Sequence, residues 1–180
     1  MVTILNPPLP KQWDVVRCFM KYSHDAHPDN THPAVVLNIT RPEESGSRLA
    51  LITVAGGTSS HDSFSGTRKK VYSGEFELLP DLCKGAGLPN QTKFDFSSAG
   101  IRTHPWDSNF FRWDPNNPNK HGEPLFGSLD TASQSFERFS TVFKASPEFR
   151  CLSDVIINSI RLATKRYHLH QGSHRQQLSP

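Results

Sequence analysis

The chain predicts a mainly β, mixed α+β domain: a small, strongly curved antiparallel sheet or barrel with one or two helices at its C-terminal end. Three observations point there. Short runs rich in β-branched and aromatic residues, separated by Gly, Pro and Asn turn signals, fill roughly the first hundred positions. Apolar residues at helical spacing appear only after them. The chain is 180 residues long, with 35% hydrophobic and 21% charged residues, which suits a single core of ordinary composition.

In order, residues 1–12 read as a lead-in arm, because "NPPLP" continues neither a helix nor a central strand. "WDVVRCFMKY" (Trp13 to Tyr22) predicts the first strand and the polar "SHDAHPDNTH" a loop. "PAVVLNITR" (Pro33 to Arg41) predicts the second strand, "EESG" a turn, and "RLALITVA" (Arg48 to Ala55) the third, as an antiparallel hairpin. A flexible loop from Gly56 to Lys70 follows. "YSGEFELL" and "TKFDFSS" predict two more strands, with "KGAGLP" as the turn between them. Residues 104–130 are aromatic and full of turn formers; they are either functional or packed over the core. Phe136, Phe139 and Phe143 recur at helical spacing, and Leu152, Val155, Ile156 and Ile160 give a second apolar stripe. The organisation is thus a barrel-like unit over 1–145, then a helix and a disordered tail over 146–180, with the tail beginning at 171.

No apolar run approaches the ~20 residues that a membrane span requires, and the N-terminus has no secretory pattern. Cys18, Cys83 and Cys151 are scattered and form no CxxC pair, which fits a reducing cytoplasm. The formal net charge of +3 permits an anionic partner without requiring one.

The chemistry-bearing residues gather near the second and third strands. His32 stands at the mouth of the polar loop, just before the buried run. Thr58 and Ser59 follow two glycines, a context that makes a generic turn or a phosphate cradle of backbone N–H groups. "TRKK" puts Arg68, Lys69 and Lys70 in a row, a solvated face or a set of phosphate contacts. Trp106, with Phe110, Phe111 and Trp113, can stack bases, although a satellite core is the commoner use of such a cluster. His24, His27 and His32 with Asp25 and Asp29 match no standard zinc spacing, so no metal and no cofactor is expected.

The succession "WDVVRCFM", "HPAVVLNI" and "LALITVAGGTSS", with the later "GEFELL", "GLPNQTKFDFSS" and "HPWDSNFF", resembles the PemK/MazF family of toxin endoribonucleases over roughly residues 12–112. The resemblance leaves the C-terminal third unexplained. It implies an SH3-like barrel, a homodimer, and metal-independent cleavage of single-stranded RNA in which the ribose 2′-OH attacks the adjacent phosphate. It also implies neutralisation by a small antitoxin protein. The family's threonine falls on Thr58, with Ser59 beside it. The family's arginine falls on His32, a departure. Histidine titrates near neutrality and can act as acid or base, but it lacks the permanent forked charge of arginine. Phosphate clamping then rests on Arg68, Lys69 and Lys70, with Trp106 as a base platform. The rival reading is the same barrel kept as a non-catalytic binding module for protein or nucleic acid. In either case the hairpin topology predicts that His32 and Thr58 sit at the same end of strands two and three.

Overall fold

The computed structural model describes residues 8–20, 31–62, 65–112 and 125–176, with the side chains of the last helix described as far as Arg166. Strands β1 (Asp14–Cys18), β2 (His32–Thr40) and β3 (Leu51–Ser59) form an antiparallel meander. β4 (Glu75–Glu77), β5 (Thr92–Asp95), β6 (Ile101–Pro105) and β7 (Leu125–Ser128) complete a seven-stranded antiparallel sheet in the order β4-β5-β3-β2-β1-β7, with β6 also on β3. The helices are α1 (Pro42–Ser45), α2 (Pro80–Gly85), α3 (Gln134–Lys144) and α4 (Pro147–Gln176). The fold is therefore mixed α+β with helices at the C-terminal end. Within the described residues β4 and β7 end the sheet. The turn after α2 lies against β7 closely enough that a Cβ on Gly127 would stand 2.7 Å from the Ala86 carbonyl oxygen.

Several expectations change. β3 does not stop at Ala55; it runs through Gly56, Gly57 and Thr58 to Ser59, in place of the expected flexible loop. Its first half pairs with β6 (Leu51↔Pro105 to Ala55↔Ile101) and its second half with β5 (Gly57↔Phe94 to Ser59↔Thr92). Glycine makes the second pairing possible, because a Cβ at position 57 would lie 2.6 Å from Phe94 Cε1 and 2.8 Å from the Pro33 carbonyl oxygen. "EESG" is a single helical turn with Pro42 at its start and Gly46 at φ 66° behind it. "KGAGLP" begins in the last residues of α2 and then makes the expected turn, at Ala86 and Gly87. The aromatic-rich segment is no ornament: it contributes the last two residues of β6, and β7, to the sheet, and Phe111 bridges to Cys18. The last helix continues to Gln176, past the expected start of a disordered tail.

Both faces of the sheet are buried, and strand alternation assigns the residues. Val15, Val35, Ala55, Phe94 and Phe96 face the helices, where they meet Leu82 of α2 and Phe136, Phe139 and Phe143 of α3. Ser133 caps α3 by accepting a hydrogen bond from the Phe136 N–H at 3.1 Å. Phe143 is the hub of an aromatic stack, 4.4 Å from Phe96 and 5.1 Å from Phe76 between ring centroids. Leu152, Val155 and Ile156 bring α4 onto the same layer. Val16, Ala34, Val36, Ile52 and Val54 point the other way, under Met20, Trp106 and Phe111. Double-sided burial explains why β2 and β3 read as nearly continuous apolar runs.

His104 lies at the rim of this second layer, stacked on Phe110 at 4.6 Å. Burial, and after it the positive charges of Arg102 and Arg166, push its pKa down to about 4. Because the folded value lies below the ordinary 6.5, the unfolded chain takes up a proton between these pH values that the folded chain refuses.

Two outcomes follow from these contacts. Gly57→Ala should lower stability by ~1–3 kcal/mol or more through overpacking against Phe94 and Pro33, measured by urea denaturation; an unchanged midpoint would show that β3 does not need the glycine. As pH falls from 6.5 towards 4, wild type should lose up to ~3 kcal/mol more stability than His104→Gln. Parallel pH profiles for the two proteins would refute a neutral, half-buried imidazole.

Candidate functional site

A polar row crosses one end of the sheet, and the register defines it. Thr58 pairs with Lys93, and Lys93 in turn with Glu77. On the other side of β3, the β2–β3 ladder ends at Ala34↔Gly56. His32 and Thr58 each lie two residues beyond that last pair, at the same end of the hairpin. Directly opposed residues share a face. His32, Thr58, Lys93 and Glu77 thus belong to the same face as Val16, Val36 and Val54, which Trp106 and Phe111 cover, with Phe111 reaching Cys18 beside His32. One face is dry at one end and polar at the other.

Lys93 anchors the polar end. It is only 3% exposed, and its Nζ donates to Glu75 Oε2 at 2.5 Å and to the Lys70 carbonyl at 2.6 Å. The Tyr72 ring centroid lies 5.4 Å from Lys93 Nζ and 5.5 Å from Lys70 Nζ. Glu75 also accepts from the Tyr72 N–H at 2.8 Å. An ammonium buried in this way needs all of these partners. Together they tie the chain from Lys70 to Glu75 down onto β5 while leaving Tyr72 62% exposed.

Arg68 donates to Glu77 with its side chain still 65% exposed. Burial would raise the Glu77 pKa, but Ser60, the Arg68 contact and charge, and the charge of His61 outweigh it and hold the carboxyl below its ordinary value. The stretch between is a narrow hairpin: His61 bridges to Arg68, the Asp62 N–H meets the Thr67 carbonyl at 2.9 Å, and the Lys69 N–H meets the Ser60 carbonyl at 2.7 Å. Gly66 takes φ 67° at its tip.

Among the residues expected from sequence, His32 and Thr58 are half-buried, and Lys70 is exposed. Lys69 is half-buried on the hairpin. Ser59 serves the local backbone, since its hydroxyl donates to the His61 carbonyl at 2.9 Å and closes the turn. Trp106 requires a correction. It is 2% exposed and packs on Phe111 with centroids 4.7 Å apart, so it belongs to the core and offers no face to a base. His24, His27, Asp25 and Asp29 lie outside the described residues, as does Trp113. Sequence reasoning missed Tyr72 and Lys93. Tyr72 had a signal, since it stands two residues after the basic run. Lys93 had none: beside the alternating Phe94 and Phe96 it reads as an ordinary solvent-facing strand lysine.

The row can hold an anion at a defined place. Thr58 supplies a hydroxyl, His32 an imidazole, and Arg68 and Lys70 the charge, with Tyr72 as a flat apolar surface beside them. Glu75→Gln should destabilise the protein by ~2–4 kcal/mol because it strands the Lys93 ammonium. Adding Lys93→Met should recover part of that loss, since no buried charge is then left unpaired. A double variant as unstable as the sum of its parts, by chemical denaturation, would show that the pair is not coupled. Set against known protein families and curated proteins, the chain matches no family model and no curated protein.

Proposed function

We propose that this chain is a metal-independent endoribonuclease of PemK/MazF type that binds single-stranded RNA across the polar row and cleaves it there. The single observation that supports this most is the β2–β3 register, whose last pair, Ala34↔Gly56, leaves His32 and Thr58 each two residues further on at the same end of the hairpin, where Thr58 pairs with Lys93. In this reading the bent sheet is the wall of an SH3-like barrel. The 2′-OH of a bound nucleotide attacks its own phosphate. His32 moves the proton as acid or base, and Thr58 hydrogen-bonds to the scissile phosphate. Arg68, Lys69 and Lys70 hold flanking phosphates, and Tyr72 takes the stacking role that Trp106 is too buried to perform. The protein acts in the cytoplasm as a homodimer and is restrained by a small antitoxin protein.

A specific observation also favours the second reading, a non-catalytic RNA-binding module. Arg68 and Lys93 are engaged by Glu77 and Glu75, so the forked cation that histidine replaced at position 32 has no ready substitute. Binding is common to both readings, and cleavage separates them.

The test is a cleavage and binding assay on labelled single-stranded RNA in EDTA. Wild type should cut, and His32→Ala or Thr58→Ala should each lower kcat by on the order of 10²-fold or more. Tyr72→Ala should weaken RNA binding by ~1–3 kcal/mol, beyond the smaller loss of stability expected from taking the ring away from Lys93. If wild type and His32→Arg bind RNA but neither cuts it, the nuclease reading is wrong and the module reading stands. If neither binds RNA, both fail.

A further inference from the structure

A second concavity lies away from the polar row, between β6 and α4, with a volume of about 290 Å³. Arg102 and His104 reach it from β6, and Arg166 from α4. Thr103 and Ser159 line it with hydroxyls, Thr103 Oγ1 donating to Ser159 Oγ at 2.8 Å, and behind them the buried Thr53 Oγ1 lies 2.8 Å from Thr103 Oγ1. No Asp or Glu lines the cleft. Among the described residues neither arginine forms an ion pair. Arg102 Nη1 is held by the carbonyls of Ile101 at 2.9 Å and Ser98 at 3.4 Å, which fixes the guanidinium at one end of the opening.

Two permanent positive charges converging on a cleft with no counter-charge oppose folding by mutual repulsion. Both are solvent-exposed, so the repulsion is small in the free protein, and a bound anion would meet uncompensated positive charge. The stoichiometry fits a phosphate monoester dianion: two units of negative charge, and oxygens that accept from two guanidiniums and a hydroxyl. Asn158 adds a side-chain amide, and Leu162, 57% exposed, gives an apolar wall for the remainder of the molecule. The size of the cleft, at the small end of ligand pockets, sets the limit near a mononucleotide.

We propose that the β6–α4 cleft binds the phosphate group of a small phosphorylated ligand between Arg102 and Arg166. This site shares no residue with the polar row, and the proposal does not rest on the nuclease reading. His104 reports on it from inside. The charges that face the imidazole are Arg102 on its own strand and Arg166 on α4. From the turn after β6 Phe110 stacks on the ring, and β3 presents the uncharged Ile52 opposite. A bound dianion offsets both arginines, so occupancy must raise the pH at which His104 takes up its proton.

The experiment titrates the full chain with inorganic phosphate, with uridine 5′-monophosphate and with a single-stranded oligonucleotide, by calorimetry and by NMR of the His104 ring. Saturable binding of at least one of the first two probes is expected, with the His104 titration moving to higher pH on saturation. Arg102→Gln and Arg166→Gln, both at exposed side chains, should each weaken binding ~10-fold or more without lowering the melting temperature of the free protein. Ser159→Ala serves as a milder variant in the same wall. Absence of saturable binding by wild type, or binding indifferent to Arg166→Gln, overturns the proposal. So does binding confined to a single-stranded oligonucleotide and lost in Arg166→Gln, because the cleft would then extend a nucleic-acid track. Failure of RNA cleavage leaves this result untouched.

Discussion

The double pairing of β3 is the constraint on which the rest of the structure depends. On one edge this strand carries β2 along most of its length; on the other it carries β6 and then β5. The change of partner falls at Gly56 and Gly57. The Gly56 N–H bonds to the Gly100 carbonyl at 3.1 Å, between the two ladders, and Gly57 lets Phe94 and the Pro33 backbone approach its bare Cα. A side chain there would push β5 away, and β4 and its acidic residues with it. The polar row exists because this hand-off is allowed.

The same strand separates two different interiors. Towards the helices the core is aromatic, with Phe76, Phe96, Phe139 and Phe143 in mutual ring contact. Towards the other side it is aliphatic, under Trp106 and Phe111. That second layer does not extend to the end of the sheet. Where it stops, charged residues occupy the face, and a buried lysine there survives only through Glu75, a backbone carbonyl and a tyrosine ring. Stability and binding chemistry are therefore coupled at this end: the contacts that hold Lys93 also set where Tyr72 and Lys70 stand.

The C-terminal helices do more than cover apolar surface. α3 closes the aromatic core. α4 passes along β6 and places Ser159 and Arg166 beside Thr103 and His104. The two polar regions consequently differ in kind. At the sheet end, cations are balanced by carboxylates, with Arg68 on Glu77 and Lys93 on Glu75. At the β6–α4 cleft they are not. An anion must displace or share existing partners at the first and meets uncompensated charge at the second.

Local pattern by itself determined the order and type of the main elements. Alternating and continuous apolar runs marked β2, the start of β3, β5 and the sequence around β1, and the 3.6-residue spacing of Phe136, Phe139 and Phe143 marked α3 with its buried face. The antiparallel hairpin also set His32 and Thr58 at one end without any tertiary information. What sequence did not decide was everything that depends on two segments meeting. "GGTSS" carries the composition of a flexible turn, and only the Phe94 ring across from Gly57 makes it a strand. Trp106 has the composition of a stacking platform, and only Phe111 and β1 make it core. Lys93 is one lysine among several until Glu75 and Tyr72 close over it. Arg102 and Arg166 are more than sixty positions apart in the chain and share a cleft solely because α4 packs along β6. Periodicity is local and can be read along a chain, whereas burial and the balance of charge belong to pairs of residues that only the folded backbone brings into contact.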